Sequence, residues 1–595
     1  MAFLGERMTS AISRGRRYRP LPAGGPAGLL ATALARRVMA AITAMAAKTA
    51  KTAMTALAAT ALLAAWALPA GAQPAPVAGP AAADASPADA TRVAVQSFRI
   101  DGNTLLDGAL LQATVRPWLG QRTLAELRQA AQAVQALYGQ AGYGAVVAYL
   151  PPQAPASGEL LIQVIEGRVG RISVMGQRRL SAERVRAALP TLVPGATPQV
   201  QRIDAELQIA NENPSRVIGV LLSPGAAPGE VHANVQVDEQ ALQRVSLVLD
   251  NSGNARTGDY RLGLGWQHAD ATGHDDVFSL QLQVSPTRWQ AVRVVSAGYR
   301  LPWVQALAAL DVFAAYSDVD GGLQASAAGG LRFAGKGHVA GSRITRYLPR
   351  WAELDQRLVG GLDYRAYLND CQVAGLPAGA CGAAGRSVAL QPLTLEYAAQ
   401  SGGPWPTAFN LVLAHNLALG GRHGSAADFA AVRSGASRHY NVLRAAGQTS
   451  LPVWDDSLLT GRFAAQHSAD RLVPGEQFGL GGAGSVRGYG ERALAGDTGW
   501  LASIELATAR LDSLLALADT DARLLVFVDA GQVANHGDLP CQGQQRRCGL
   551  SALGIGARLG WRTLHLRLFV AQALQDAAAT RRHDWRTHFA LSARF

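Results

Sequence analysis

The chain has 595 residues, too many for one ordinary domain, with only 6% aromatic and 16% charged residues and 64 glycines. Its net charge of +12 is unevenly placed: residues 1–72 hold nine Lys or Arg against one acid, Glu6, and the rest of the chain holds 46 basic and 42 acidic residues, a net of +4. The basic excess is therefore a targeting feature, and no nucleic-acid partner is expected.

Within residues 1–72 the apolar run Ala53–Leu68 lies behind a cationic flank and leads into Pro-Ala-Gly-Ala-Gln. That pattern reads as a secretory signal peptide cleaved after Ala72, with an unusually long N-region. The run falls short of the roughly 20 residues of a spanning helix. A start at Met39 or Met45, and an uncleaved anchor, stay open as alternatives. Residues 73–92, rich in Pro and Ala, read as a flexible linker.

Residues 93–168 and 169–240 form a degenerate repeat of order β-α-α-β-β. The first copy has a strand over Val93–Asn103, helices over Leu105–Leu119 and Leu124–Gln140, and strands over Gly144–Gln153 and Gly158–Arg168. The second has a strand over Arg171–Gln177, helices near Ser181–Leu189 and Gln199–Asn211, and strands over Arg216–Gly225 and Glu230–Glu239. Each unit is expected to pack a small sheet beneath two helices.

Residues 241–595 change character. Segments of about ten residues alternate apolar and polar, separated by Gly, Asp, Asn and Pro, the signature of transmembrane β-strands. Sixteen strands are expected, centred near residues 246, 264, 281, 296, 313, 342, 361, 393, 412, 444, 462, 502, 527, 555, 568 and 590. A soluble β-sandwich would not need so long a series. With the first strand running outward from the periplasm, the long connections (369–386, 418–436, 469–496, 534–548) fall outside and the short ones (302–307, 350–353, 400–405, 451–455) in the periplasm, with 509–521 a longer exception. The last segment alternates to a terminal Phe595, which resembles the insertion signal read by bacterial barrel-assembly machinery.

Cys371 with Cys381 and Cys541 with Cys548 fall in two external loops and suit two small disulfides, with zinc ligation the alternative. The Gly-rich loop 469–496 contains Val486, Arg487, Gly488 and Tyr489. Downstream, Phe527-Val528-Asp529-Ala530-Gly531 puts a carboxylate at a strand centre. A charge at membrane depth faces the interior and is paired. Arg487, on a loop folded into the lumen, is the natural partner of Asp529 in a charge-assisted hydrogen bond.

Together the repeat, the barrel series, V-R-G-Y and F-x-D-x-G resemble the haemolysin-activator and filamentous-haemagglutinin transporters of two-partner secretion, a branch of the superfamily that joins POTRA modules to a barrel. The resemblance covers 93–595 and includes Phe98–Thr104, Tyr138, Gly142-Tyr143, Leu150-Pro151 and Val164–Gly167. It extends to the run Asn211-Glu212-Asn213-Pro214-Ser215-Arg216 and to the turns Pro224-Gly225 and Pro228-Gly229. It implies an outer-membrane barrel with periplasmic modules, lying in outer-membrane lipid. It also implies a lock between Arg487 and Asp529 with Tyr489 packed beside it, and a large exoprotein partner bearing an N-terminal secretion domain. Some members carry a plug helix before the first module; the short linker here favours a chain without one.

The modules would then bind the unfolded partner by adding its extended chain to a sheet edge. No Walker motif, G-x-S-x-G or H-E-x-x-H occurs, so no cofactor, metal or catalytic site is expected. The loop residues His415, His423, Ser425 and Asp428 read as solvated rather than hydrolytic. A barrel-assembly or insertion factor of the same superfamily is the alternative. A passive porin would explain the barrel but neither the modules nor the paired motifs.

Overall fold

The structure, a computed structural model, describes residues 92–595 apart from 154–157, 256, 327–328, 369–385, 513–518, 538 and 578, and leaves the side chains of 319–335 undescribed. The expected signal segment, nearly all of the linker, and Cys371 and Cys381 lie outside the described residues.

The first module comprises β1 (Arg92–Val95), β2 (Ser97–Asp101), α1 (Gly108–Val115), β3 (Gly120–Thr123), α2 (Leu124–Gln140), β4 (Val146–Tyr149) and β5 (Glu159–Glu166). The strand expected over Val93–Asn103 is in fact two strands. Gln96 and Ser97 both donate their N–H to Gly158 O, so the chain turns there; β1 pairs with β3, while β2 joins the sheet β2-β5-β4. Helix α2 starts at a capping box, Thr123 with Glu126. It buries Leu127, Ala130, Ala131, Val134 and Tyr138 at helical spacing against the sheet.

The second module repeats the plan with β6 (Arg168–Met175), α3 (Ala182–Ala187), α4 (Val200–Glu212), β7 (Arg216–Pro224) and β8 (Glu230–Glu239), and its sheet order is β6-β8-β7. The repeat is visible atom by atom. Gly102 and Gly176 follow the two parallel strands with φ of +88° and +87°, and a Cβ on either would lie 2.2 Å from a carbonyl, of Val164 and Val237 respectively. Glu166 and Glu239 end the partner strands and fold back onto the same turns. Glu166 accepts from the N–H of Thr104 and Leu105, and Glu239 from those of Arg178, Arg179 and Leu180. Burial works to raise the Glu239 carboxyl, but the three backbone donors and the Arg179 guanidinium prevail and hold it at about 2. In the first module Tyr138 donates to Glu166 at 2.9 Å, which joins the helix to the same carboxylate.

The remaining strands are β9 (Gln243–Asp250), β10 (Arg261–Ala269), β11 (Val277–Val284), β12 (Arg293–Trp303), β13 (Ala308–Ser326), β14 (Gly329–Trp351), β15 (Leu354–Tyr367), β16 (Val388–Leu390), β17 (Pro392–Ser401), β18 (Thr407–Asn416), β19 (Asn441–Pro452), β20 (Leu458–His467), β23 (Thr498–Ala507), β24 (Thr520–Ala534), β25 (Arg547–Trp561), β26 (Leu564–Ala573) and β27 (Trp585–Arg594). They close into one antiparallel barrel in which β27 pairs with β9. Because β16 and β17 both pair with β15 and act as one interrupted strand, the barrel has sixteen strands, and every expected strand centre falls inside one of them. Two short strands, β21 (Phe478–Leu480) and β22 (Leu494–Gly496), pair only with each other, inside the loop between β20 and β23. A short helix, α5 (Ala426–Val432), lies between β18 and β19.

The alternation sets the two faces. Leu264, Leu282, Ile344, Leu395, Leu413, Ile504, Val528 and Ile555 stand exposed on the outer face. At alternate positions along the strands Ser279, Ser296, Asp311, Asp363, Ser503 and Asp529 are buried on the inner face. Trp303, Trp351, Trp405, Trp454 and Trp561 sit at the module-side ends or turns and are 42–66% exposed, as in the aromatic girdle of a membrane barrel. Short turns such as 304–307, 352–353, 402–406 and 453–457 lie on the module side; long loops lie at the other end.

Candidate functional site

The loop between β20 and β23 does not stand out from the barrel. Its ribbon of β21 and β22 lies against the inner wall, packing Phe478, Leu480, Val486, Tyr489 and Leu494 on Leu501, Val533, Leu550 and Ala552. Glycines on both sides permit the approach. A Cβ on Gly531, the last residue of F-x-D-x-G, would come within 2.8 Å of Leu480. Gly481 and Gly488 hold φ of +102° and +92°, which L side chains rarely adopt.

At the tip Arg487 meets Asp529. Nε lies 2.7 Å from Oδ2 and Nη2 2.8 Å from Oδ1, and the Arg487 backbone N–H also donates to Oδ2 at 3.0 Å. Arg487 is 3% and Asp529 0% exposed. The guanidinium spends its remaining donors on Glu505 (3.0 Å) and Ser503 (3.2 Å), both on β23. Ser503 itself donates to Asp529 at 2.7 Å. The guanidinium carbon lies 3.3 Å from the Phe527 ring centroid and 4.9 Å from that of Phe569, two cation–π contacts from rings set edge to face within a desolvated site. Two acids on the wall share one base on the loop, and removing that base leaves buried charge behind.

The neighbours of Arg487 are fixed as well. The Gly488 N–H donates to His588 Nε2 at 3.0 Å, which leaves that nitrogen as the neutral acceptor. Tyr489 Oη lies 2.9 Å from the carbonyls of Ser551 and Gln575 and 3.1 Å from the Gln575 N–H. Val486 is fully buried. The structure thus brings together Val486, Arg487, Gly488, Tyr489, Phe527, Asp529 and Gly531. Ser503, Glu505, Phe569 and His588 complete the site and were not picked out in the sequence. Ser503 and Glu505 had a usable signal, two polar residues in register on a strand beside Asp529; His588 and Phe569 had none.

A second attachment holds the loop at its root. Glu476 is 2% exposed, and its carboxylate takes Arg365 of β15 at 2.7 Å, Arg444 of β19 at 3.0 Å and the Tyr367 hydroxyl at 3.2 Å. Arg365 continues to Asp363 and thence to Arg343, so an ion-pair chain runs round the wall from the root of the loop. Outside, Arg433 after α5 pairs with Asp497 at the end of the loop. Phe429 and Val432 of α5 pack with Leu472 and Val473. Ser425 and Asp428 form the capping box of α5. Cys541 and Cys548 are joined in a disulfide in the loop after β24. Phe595 pairs with Val245, each N–H donating to the other's carbonyl, and sits at the end of the closing strand.

The Asn-x-Asn-Pro-x-Arg run forms the joint between the second module and the barrel. Arg216 is 2% exposed and grips Asp275, in the turn after β10, with two bonds of 2.7 and 2.8 Å. Asn213 donates to the Asp275 carbonyl at 3.1 Å. Glu212 lies among Arg300, Arg357 and Tyr347 of the barrel. Arg184 of α3 adds a two-pronged contact to Asp270 at 2.7 and 2.8 Å. That guanidinium holds the Asp270 carboxyl below its usual range against the opposing effect of burial. Ile209 packs on Ala309 and Tyr347 beneath these pairs.

The chain has counterparts among known proteins. The family described as Haemolysin secretion/activation protein ShlB/FhaC/HecB matches residues 229–559, and the POTRA domain, ShlB-type, matches residues 93–167. The Heme/hemopexin transporter protein HuxB of Haemophilus influenzae is 28% identical over 165 residues, 27% of this chain and 29% of that protein, so the match spans less than a third of that relative. The Outer membrane transporter CdiB of Escherichia coli is 25% identical over 466 residues, 75% of this chain and 74% of that protein. The solved structure of CdiB from Escherichia coli superposes with a TM-score of 0.69 at 21% identity, covering 88% of this chain and 93% of that one. It shares the fold.

Proposed function

The chain belongs to the haemolysin secretion/activation family of outer-membrane proteins, and from that membership we propose that it exports a large, unfolded exoprotein from the periplasm to the cell surface. The observation that carries the reading is the seating of Arg487 on Asp529 inside the barrel, in a chain whose two modules have sheets that end on β4 and β7. An extended chain adds to such an edge through main-chain hydrogen bonds, with little demand on sequence. The partner carries an N-terminal secretion domain for this purpose. Its chain then threads the lumen, which in a sixteen-strand barrel is wide enough for an aqueous channel.

The inward loop limits leakage, and Arg487–Asp529 holds it in place. Export requires that this contact yield while the barrel stays closed, so the attachment is polar and local rather than part of the strand ladder. The reading assigns no catalysis and no cofactor. The barrel-assembly alternative has less support, since the family match and the length shared with CdiB both point to the secretion branch.

The test compares exported proteins in a strain with and without this gene. Loss of one large exoprotein, restored by the wild-type gene but not by Arg487→Ala, is the expected result. An unchanged set of exported proteins with altered barrel composition in the envelope would overturn it.

A further inference from the structure

The wall beneath the loop tip carries one titratable group that the ion pair does not require. His588, on β27, is 2% exposed. Its Nε2 accepts the Gly488 N–H at 3.0 Å, so the proton of the neutral ring sits on Nδ1. This bond ties the backbone of the tip to the wall, one residue along from the guanidinium that holds Asp529. Arg487 meets Asp529, Glu505 and Ser503 with its own donors, so the charge pairing is complete without the imidazole.

An imidazole accepts through Nε2 only while it is neutral. Once protonated, both ring nitrogens are donors, and Nε2–H would face the Gly488 N–H, donor against donor. The surroundings add to that conflict. The charged groups acting on the ring are Arg487 of the loop, Arg586 of its own strand and Asp529 of β24. They are two cations and one carboxylate, and the carboxylate is already engaged by Arg487 and Ser503. On β26 the residue opposite His588 is Phe569, which carries no charge. Glu491 of the loop interacts with Arg586 and with Asp250 of β9; it accepts from the Ala483 N–H within the loop, so it travels with the loop. Unseating removes the conflict: Nε2 opens to water, Arg487 leaves and Asp529 stays on the wall.

We infer that His588 is a proton-sensitive catch on the inward loop: acidification unseats the tip, because breaking the Gly488 N–H···Nε2 bond lets Nε2 take a proton from water. Linkage gives the sign and the size. The seated tip accepts only the neutral ring, whereas the unseated wall binds one proton more, so unseating is favoured as pH falls. An unhindered imidazole titrates near 6.5, so the ratio of unseated to seated loop rises about tenfold from pH 7.5 to pH 5.5. The inference rests on the seating of the loop and not on export.

The test is hydrogen exchange of the Val486–Tyr489 amides in the whole protein in nanodiscs, corrected at each pH for the intrinsic exchange rate. Protection is expected to fall about tenfold from pH 7.5 to pH 5.5 and to recover on return to pH 7.5. In His588→Gln, whose amide oxygen accepts without titrating, protection is expected to stay level over the same window. Glu491→Gln should keep the wild-type fall. Heat-modifiable gel migration reports a folded barrel, and if His588→Gln does not fold, His588→Asn takes its place. Level protection in the wild type would overturn the catch. So would a fall that survives in the folded His588 variant or disappears in Glu491→Gln.

Discussion

Glu476, at the root of the inward loop, bonds Arg365 at 2.7 Å, four strands round the wall from the strand that feeds the loop. The loop is therefore held by ion pairs at its root, on β15 and β19, as well as at its tip, on β23 and β24. Removing one partner of a buried ion pair costs about 3–5 kcal/mol, because the other charge stays behind unpaired. Glu476→Ala is expected to lower the temperature at which the folded gel band disappears and to speed trypsin cleavage at Arg492 in the same loop. Arg365→Ala should do likewise. Unchanged melting and cleavage in both variants would show that the root contact bears no load.

The joint at Arg216 makes a separate prediction. A two-pronged guanidinium–carboxylate contact fixes orientation as well as distance. With Arg216→Ala the second module should stay folded on its own core of Val185, Ile203, Ile218 and Val235 but tilt more freely on the barrel. Paired spin labels, one on α3 and one on a module-side turn, are expected to report a broader distance distribution than in the wild type. Asp275→Ala should broaden it as much, and the double variant no further.

Much of this was legible beforehand, for a physical reason. A barrel strand has one face in lipid and one in water, so period-2 alternation is enforced residue by residue, and each of the sixteen expected centres falls in a strand. Asp529 was conspicuous because a carboxylate in such a strand has few places to go. Glu476 was not, since a Glu in a Gly-rich external loop looks the same in sequence whether it is solvated or reaches Arg365. The joint was visible only as a motif: Asn211-Glu212-Asn213-Pro214-Ser215-Arg216 marks the family, but its partners Asp275 and Arg300 lie in separate strand-turn segments that nothing local connects to it. The short ribbon of β21 and β22 was hidden by glycines, which argue against strands unless a wall is present to support them.

The second module has a pH signature. The Glu239 carboxyl is held at about 2 in the folded state, below the roughly 4.3 of an unfolded glutamate. A depressed value means that the stabilisation is complete above the unfolded value and is lost as pH falls toward the folded one. Hydrogen exchange of the Arg178–Leu180 amides should therefore be faster in Glu239→Gln than in the wild type at pH 7. The gap should hold down to about pH 5 and close between about pH 4 and pH 2. A gap that persists undiminished at pH 2 would mean that the carboxylate charge is not what holds the turn.

At the loop tip, backbone and side chain can be separated. Gly488 has φ of +92°, and a Cβ there would meet Ala571 Cβ and Ala573 N at 3.4 Å. Gly488→Ala keeps Arg487 and meets only ordinary contacts on the wall, but the left-handed backbone strains its neighbour by about 1–2 kcal/mol. Tyr489→Phe keeps the backbone and the packing but loses the hydroxyl held by Ser551 and Gln575, a loss of about 1 kcal/mol. If the tip works by being seated, loop exposure to a thiol probe at Ser485→Cys should rise in the order Tyr489→Phe, Gly488→Ala, Arg487→Ala, with export falling in the same order. Export that fails in Arg487→Ala while the probe sees the loop still seated would separate the two. The guanidinium would then act on the passing chain rather than on the position of the loop.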